Sequence, residues 1–234
     1  MAKLAPLGAV ALGDCAVYIE FSKTLELEVN SLVQRLARMV HARALPWVRD
    51  VVPALGGLAI HFDPDDPAVF GDALSASLNV VNECLKQGLP KDEEATRIVE
   101  VPVCYEGEYA PDLAEVAAAA KLTVEEAVAL HAQSEFRVLM IGFAPGHPYM
   151  AGLDRKLAVP RRSTPRAIVP AGSVAVANDQ SVVYPYAISG GWNIIGRTPL
   201  AVFDAHRAEP SLFAAGDRVR FKPISRAQFE KHAK

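Results

Sequence analysis

Residues 169–185 read VPAGSVAVANDQSVVYP. Two runs of small and β-branched residues, SVAVA and SVVYP, flank Asn178-Asp179, a pair that tolerates the backbone of a tight turn. The segment therefore predicts two strands joined by a turn. The same texture extends to both sides. Residues 142–200 hold seven Gly and seven Pro in 59 positions, and the short runs SVAVA, SVVYP, NIIG and LAVF lie between them. No helical period survives there, so the region reads as an all-β barrel or sandwich with long rigid loops. RVRFKPI (218–224) is expected to add a last strand, with a frayed turn of helix behind it.

Upstream, the pattern changes. LGAVAL and AVYIEF surround Gly13-Asp14, a hairpin signal. Val29, Leu32, Val33, Leu36, Met39 and Val40 then recur at helical spacing, and that helix ends before Pro46. WVRDVV and LAIHF read as two more strands. A second helix is expected to carry Phe70, Leu74, Leu78, Val81 and Leu85 on one face and to close at Gly88 and Pro90. Strands, helix, two strands, helix suit a small sheet with helices on one face, in the manner of ferredoxin-like folds. KDEEATR (91–97) is the charged stretch that suits a linker, which puts the boundary between domains of residues 1–93 and 94–234. RIVEVPVCY follows as a strand, then helices around 113–120 and 124–133. Thr123 and Glu126 mark the start of the second helix as a capping box. The fold class is α+β.

At 234 residues and a net charge of −3, the chain is large enough for a real core and does not suit nucleic-acid binding driven by global charge. The opening MAKLAPLGAVALGDC is too short and too interrupted for a signal peptide, and no run of 18 apolar residues spans a membrane. Cys15, Cys84 and Cys104 form no CxxC pair and read as buried free thiols of a reducing cytoplasm. The six histidines show no HxH or HExxH spacing, so no structural metal is expected. Neither GxGxxG nor GxxxxGK[ST] occurs, so any ATP is held by something other than a familiar phosphate loop.

Chemistry concentrates in the second half. GFAPGHPYM (142–150) has His147 as its one side chain that titrates near neutral pH, braced by Gly146 and Pro148. It reads either as a structural ring or as an imidazole that donates to, or takes a proton from, a small amide or carboxyl group. RKLAVPRRSTPR (155–166) carries five cations and no acid. Pro160 and Pro165 stiffen the backbone around Arg161, Arg162 and Arg166, whose planar forks suit a carboxylate or phosphate. Gln180 and Tyr184 should share one face of an extended segment, and Tyr184 is either a half-buried core ring or a hydroxyl presented to a site. Ser173 in AGSVA is not a nucleophile elbow. Trp192, behind Gly190-Gly191, is either a core anchor or a stacking platform.

The segments GFAPGHPYMAGLDRKLAVPRRSTPRAIVPAGSV, QSVVYP and GGWNIIGRTPL resemble the KipI/PxpB family, whose members are also described as the B subunit of 5-oxoprolinase, allophanate hydrolase subunit 1 and carboxyltransferase subdomains C and D. The resemblance implies a small N-terminal α/β sandwich followed by a cyclophilin-like β-barrel. It implies a cytoplasmic subunit of a heteromeric, ATP-hydrolysing 5-oxoprolinase that opens 5-oxo-L-proline to L-glutamate, with ATP bound by the complex rather than by this chain alone. Alternatives within the family are a KipI-like inhibitor of a sensor histidine kinase and a carboxyltransferase acting on urea derivatives, the latter with biotin. The implied partners are a second carboxyltransferase-type subunit (allophanate hydrolase subunit 2, PxpC-like) and a LamB/YcsF-like subunit. On this reading His147, Gln180 and Tyr184 contact the amide as catalytic residues, while Arg161, Arg162, Arg166, Tyr149, Ser173 and Trp192 bind substrate. The sequence departs from the family at His147, where an aromatic is common, and at Val182 and Ser189.

Overall fold

The hairpin read around Gly13-Asp14 is formed by β1 (Gly8–Ala11) and β2 (Ala16–Glu20), with Ala11 opposite Val17 and Gly13 at φ +60°. A computed structural model describes residues 4–90 and 97–232 of the chain. Two compact units emerge, Met1–Ala95 and Thr96–Lys234. The stretch 91–97, read as a linker, lies outside the described residues except for Arg97.

In the first unit, α1 (Leu27–Ala42) leads to a second hairpin, β3 (Val48–Pro53) and β4 (Gly57–Phe62), and α2 (Ala73–Gln87) follows. The sheet is antiparallel throughout, in the order β1-β2-β4-β3. Alternation along β2 and β4 turns Val17, Ile19, Leu58 and Ile60 to one face. Val33, Leu36, Val40, Val81 and Cys84 of the two helices cover that face. The element order β-β-α-β-β-α differs from the β-α-β-β-α-β of a ferredoxin-like fold, because each tight turn pairs strands that are sequential in the chain. The layered sheet-and-helix arrangement is shared. Phe70 does not join the helix face. Gly71 at φ +81° breaks the chain, and Asp72 caps α2 by accepting from the Ser75 N–H, which leaves Phe70 outside and 78% exposed. Cys84 and Cys104 are buried, but Cys15 is carried to the surface by the hairpin turn.

The second unit opens with β5 (Ile98–Cys104), then α3 (Leu113–Ala120) and α4 (Val124–Gln133), the latter with both hydrogen bonds of the Thr123/Glu126 capping box. The remaining strands are β6 (Phe136–Ile141), β7 (Pro148–Ala151), β8 (Arg166–Val169), β9 (Ser173–Ala177), β10 (Gln180–Val183), β11 (Ile188–Gly190), β12 (Asn193–Arg197) and β13 (Arg218–Ile224). Helix α5 (Arg226–His232) follows. Seven strands close in the order β10-β7-β6-β13-β5-β12-β9, while β8 and β11 form a separate two-stranded sheet. Closure removes every edge from the barrel. Its one parallel pair, β5 with β13, joins strands far apart in sequence. LAVF (200–203), expected as a strand, makes only an isolated bridge from Phe203 to Ser211, because the closed barrel leaves no edge for it to join.

The strands SVAVA and SVVYP are buried on both faces. Val174, Val176 and Val183 point into the barrel with Phe136, Val138, Met150, Val219 and Phe221, while Ala175, Ala177, Val182 and Tyr184 face outward into a second cluster. Within the barrel core lies a fully buried imidazole, His131 of α4, stacked 4.7 Å from Phe221. Ser181 Oγ donates to the Ala175 carbonyl (3.3 Å), so His131 Nε2 donates to Ser181 (3.4 Å) and Nδ1 accepts from the Tyr105 hydroxyl (2.8 Å). Both ring nitrogens are thereby satisfied without charge, and burial pushes the His131 pKa down to about 3 from 6.5.

The unfolded chain takes up a proton at His131 below its ordinary pKa, and the folded chain does not. Stability is therefore full above about pH 6.5 and falls as the pH drops towards 3. By pH 5 the loss is roughly 2 kcal/mol for this group. Urea unfolding at pH 7 and pH 5 should show this loss. His131→Leu, although less stable at both values, should show a smaller difference between them.

Candidate functional site

The outward face of β9 and β10 is where the sequence-predicted residues gather. Small side chains at Ala175 and Ala177 let large rings lie against the barrel wall, and Tyr184, Trp192, Ile194 and Val169 do so with Tyr149 packed beside them. Tyr184 is 1% exposed. Burial raises its pKa to about 12, with the Trp192 backbone N–H donating to the phenol oxygen in opposition. It therefore stays protonated and acts as a hydrogen-bond donor, not a base. Gly190 makes room for that hydroxyl: a Cβ at this position would lie 2.2 Å from Tyr184 Oη. Gln180, half-buried at the start of β10, shares the outward face with Val182 and Tyr184 as its spacing predicted. Ser173 is buried, and its carbonyl accepts from the Tyr184 N–H at 2.9 Å.

His147 sits in an aromatic slot. The turn before it is tight, with Phe143 at φ +70° and Gly146 at φ +76°, and the His147 N–H donates to the Ala144 carbonyl at 3.0 Å. A Cβ on Gly146 would come within 2.8 Å of Phe203. The imidazole, 2% exposed, has Phe143, Tyr149 and Tyr184 at centroid distances of 5.5, 5.0 and 5.2 Å. Its Nδ1 has no hydrogen-bond partner among the described residues. Burial lowers its pKa to about 4, so the ring is neutral at physiological pH. An unpartnered polar atom in so buried a ring is the one unmet hydrogen-bonding demand of this cluster.

From His147 the contacts run on to the arginine loop. Tyr149 lies 6.0 Å from Trp192, and the Arg161 guanidinium stacks over Trp192 at 5.4 Å, a cation–π contact. Burial raises the Tyr149 pKa, with Arg161 acting against it. Imidazole, two phenols, indole and guanidinium thus form one continuous string along the barrel wall.

The three arginines then part company. Arg166 grips Asp112 with both terminal nitrogens (2.9 and 2.7 Å), and Arg162 Nη1 reaches Asp112 and Glu115, each at 3.0 Å. Asp112 is 2% exposed and also accepts from the Ile194 N–H at 2.7 Å. The loop is fixed from behind as well: the Arg162 N–H donates to the Gly191 carbonyl (2.8 Å) and Asn193 Nδ2 to the Pro160 carbonyl (3.0 Å). Arg161, between these anchors, has no carboxylate partner among the described residues. Beside it lies a groove of about 420 Å³ whose lining includes Glu115, Arg161, Arg162, Ser163, Thr164 and Asn193. Among the described residues, no group of three or more His, Cys, Asp or Glu could hold a metal. The sequence reading missed Asp112. The signal was indirect: five cations without an acid in one loop require a counter-charge from elsewhere.

The chain is matched over residues 8–213 by the family described as carboxyltransferase domain, subdomain C and D. It is 38% identical to the B subunit of 5-oxoprolinase from Bacillus subtilis over 226 residues, covering 94% of each chain. It is 46% identical to the B subunit of 5-oxoprolinase from Haemophilus influenzae over 193 residues, covering 82% of this chain and 88% of the other. The crystal structure of TTHA0988 superposes with a TM-score of 0.77 at 37% identity, covering 90% of this chain and 40% of that longer one.

Removing Asp112 leaves Arg166 without its carboxylate, Arg162 with only the exposed Glu115, and the buried Ile194 N–H without an acceptor, the costly way to break a buried network. Asp112→Ala should destabilise the second unit by roughly 3–5 kcal/mol. Urea unfolding followed by Trp192 emission in a Trp47→Phe background measures this, and a loss under about 1 kcal/mol, the worth of a surface pair, would remove Asp112 as the anchor of the loop.

Proposed function

The chain belongs to the carboxyltransferase domain, subdomain C and D, family, and from that we propose that it is one component of a heteromeric 5-oxoprolinase converting 5-oxo-L-proline to L-glutamate, with ATP hydrolysed by the complex. The observation that carries this reading is the likeness, over 82–94% of the chain and at 38–46% identity, to proteins named as the B subunit of 5-oxoprolinase. The partners are a second carboxyltransferase-type subunit and a LamB/YcsF-like subunit. More than half of the TTHA0988 chain lies outside the match, which suits a fold that works joined to further domains. Three cysteines without disulfides suit a cytoplasmic setting.

The geometry supports a half-site. Ser181 is hydrogen-bonded to the His131 imidazole, but both are sealed in the barrel at 0% exposure. Binding and charge stabilisation are what the outward cluster offers. Arg161 is the cation free to meet the substrate carboxylate, held in place by its stack on Trp192. Arg166, committed to Asp112, positions the loop. The Tyr184 and Tyr149 phenols stay protonated, and with the neutral His147 they supply donors for charge developing on a lactam oxygen. Gln180 lies on the same face of β10 as Tyr184. A partner chain completes the site and supplies whatever activates the phosphoryl-transfer or hydrolytic step.

Reconstituted with both partners, the chain should support ATP hydrolysis that depends on 5-oxoproline. Loss of a charge-assisted contact weakens binding by about 10- to 100-fold. Arg161→Ala should therefore raise KM for 5-oxoproline by that order while the complex still assembles. A reconstituted complex that releases no glutamate from 5-oxoproline would end this reading.

A further inference from the structure

The two acids on Arg162 differ in kind. Asp112, its side chain 3% exposed, also binds Arg166 and the Ile194 N–H and cannot leave without stranding buried charge. Glu115, its side chain 70% exposed, forms an ion pair with Arg162. It lies nearly one helical turn beyond Asp112, in the first turn of α3, and stands at the groove that also holds Arg161, Ser163 and Thr164. Both acids use the same nitrogen, Nη1. The rest of the Arg162 fork has no carboxylate partner among the described residues.

An exposed ion pair of this type contributes little to stability, from nothing to about 1 kcal/mol. A carboxylate arriving from solution would therefore meet a weak competitor at Arg162 and a second cation, Arg161, next to it. Arg161, Arg162 and Arg166 against Asp112 and Glu115 leave a net +1, which becomes +2 when Glu115 swings away. Arg161 and Arg162 both line this one open groove, and planar guanidinium forks are suited to small carboxylates.

We propose that this groove is the docking site for the carboxylate of a small ligand, and that Glu115 is its built-in occupant, lying on Arg162 until the ligand displaces it. The proposal rests on the reading of 5-oxoproline as substrate, yet its test is made on the isolated chain and does not require turnover. Glu115 thereby sets a threshold: ligands with a carboxylate exchange with it, and neutral lactams do not. That selects for an acid against its uncharged analogue before any chemistry begins.

Glu115→Gln keeps the size of an exposed side chain and removes its charge. Calorimetric titration of the full-length variant at low salt should show 5-oxoproline and acetate binding about three- to tenfold more tightly than to the parent, the fold-change that a surface ion pair is worth. Binding of 2-pyrrolidinone, the same ring without the carboxylate, should not change, and the gain should shrink as salt rises. Adding Arg162→Ala, which removes the fork that Glu115 occupies, should cancel the gain. Unchanged or weaker binding of both acids in Glu115→Gln overturns the proposal, as does an equal gain for 2-pyrrolidinone. A gain for acetate without one for 5-oxoproline keeps the carboxylate site and instead counts against 5-oxoproline as substrate.

Discussion

A carboxylate removed from water must find its hydrogen-bond donors inside the protein, and Asp112 finds four: two nitrogens of Arg166, one of Arg162 and the backbone of Ile194. Those bonds join the start of α3, the strand β12 and the loop 160–166, three segments with no local reason to meet. The loop is tied at Arg162 and Arg166 and at the Pro160 carbonyl, and between those ties Arg161 lies over the face of Trp192. The neutralisation of the other two arginines leaves Arg161 as the member of the three without a carboxylate partner among the described residues. A single buried charge organises the site without being a reacting group in it.

The aromatic string behind Arg161 depends on a second constraint, the double burial of β9 and β10. A closed barrel ordinarily presents polar residues outward. Here alanines at 175 and 177 give rings access to the wall, and Tyr184, Trp192 and Tyr149 cover it. Dry surroundings keep Tyr184 protonated and His147 neutral. The phenol donates, and the neutral imidazole donates or accepts a hydrogen bond but is a weak base. That division of labour suits a protein that grips and orients a small amide while a partner brings the remaining chemistry. It also accounts for His147 in a slot that an aromatic ring would fill: the ring is packed on three sides, and one nitrogen is left for a ligand or a water.

Periodicity exposed most of the elements because it is a local property. The helices at 113–120 and 124–133, the capping box at Thr123 and Glu126, and the hairpin at Asn178-Asp179 all depend on residues within one or two turns of each other. The failures share a cause. Phe70 has the right spacing for the helix face, but Gly71 and the Asp72 cap start α2 three residues later. LAVF has strand composition but no free edge to join. The β-β-α-β-β-α order was legible in the run of elements, whereas the sheet order β1-β2-β4-β3 required the pairing itself.

The sequence by itself determined which residues are chemically notable: the braced His147, the phenols, Trp192 and an arginine loop stiffened by two prolines. It also determined that the second half is a β structure, since β-branched runs between glycines and prolines have few other ways to bury themselves. Only the tertiary structure decided which arginine faces outward. Arg161, Arg162 and Arg166 are alike in composition and neighbourhood, and what separates them is a carboxylate some 50 residues away in the chain. Charge compensation acts through space and at short range, so it leaves no trace in the order of residues, and the closing of the barrel brings the pair together.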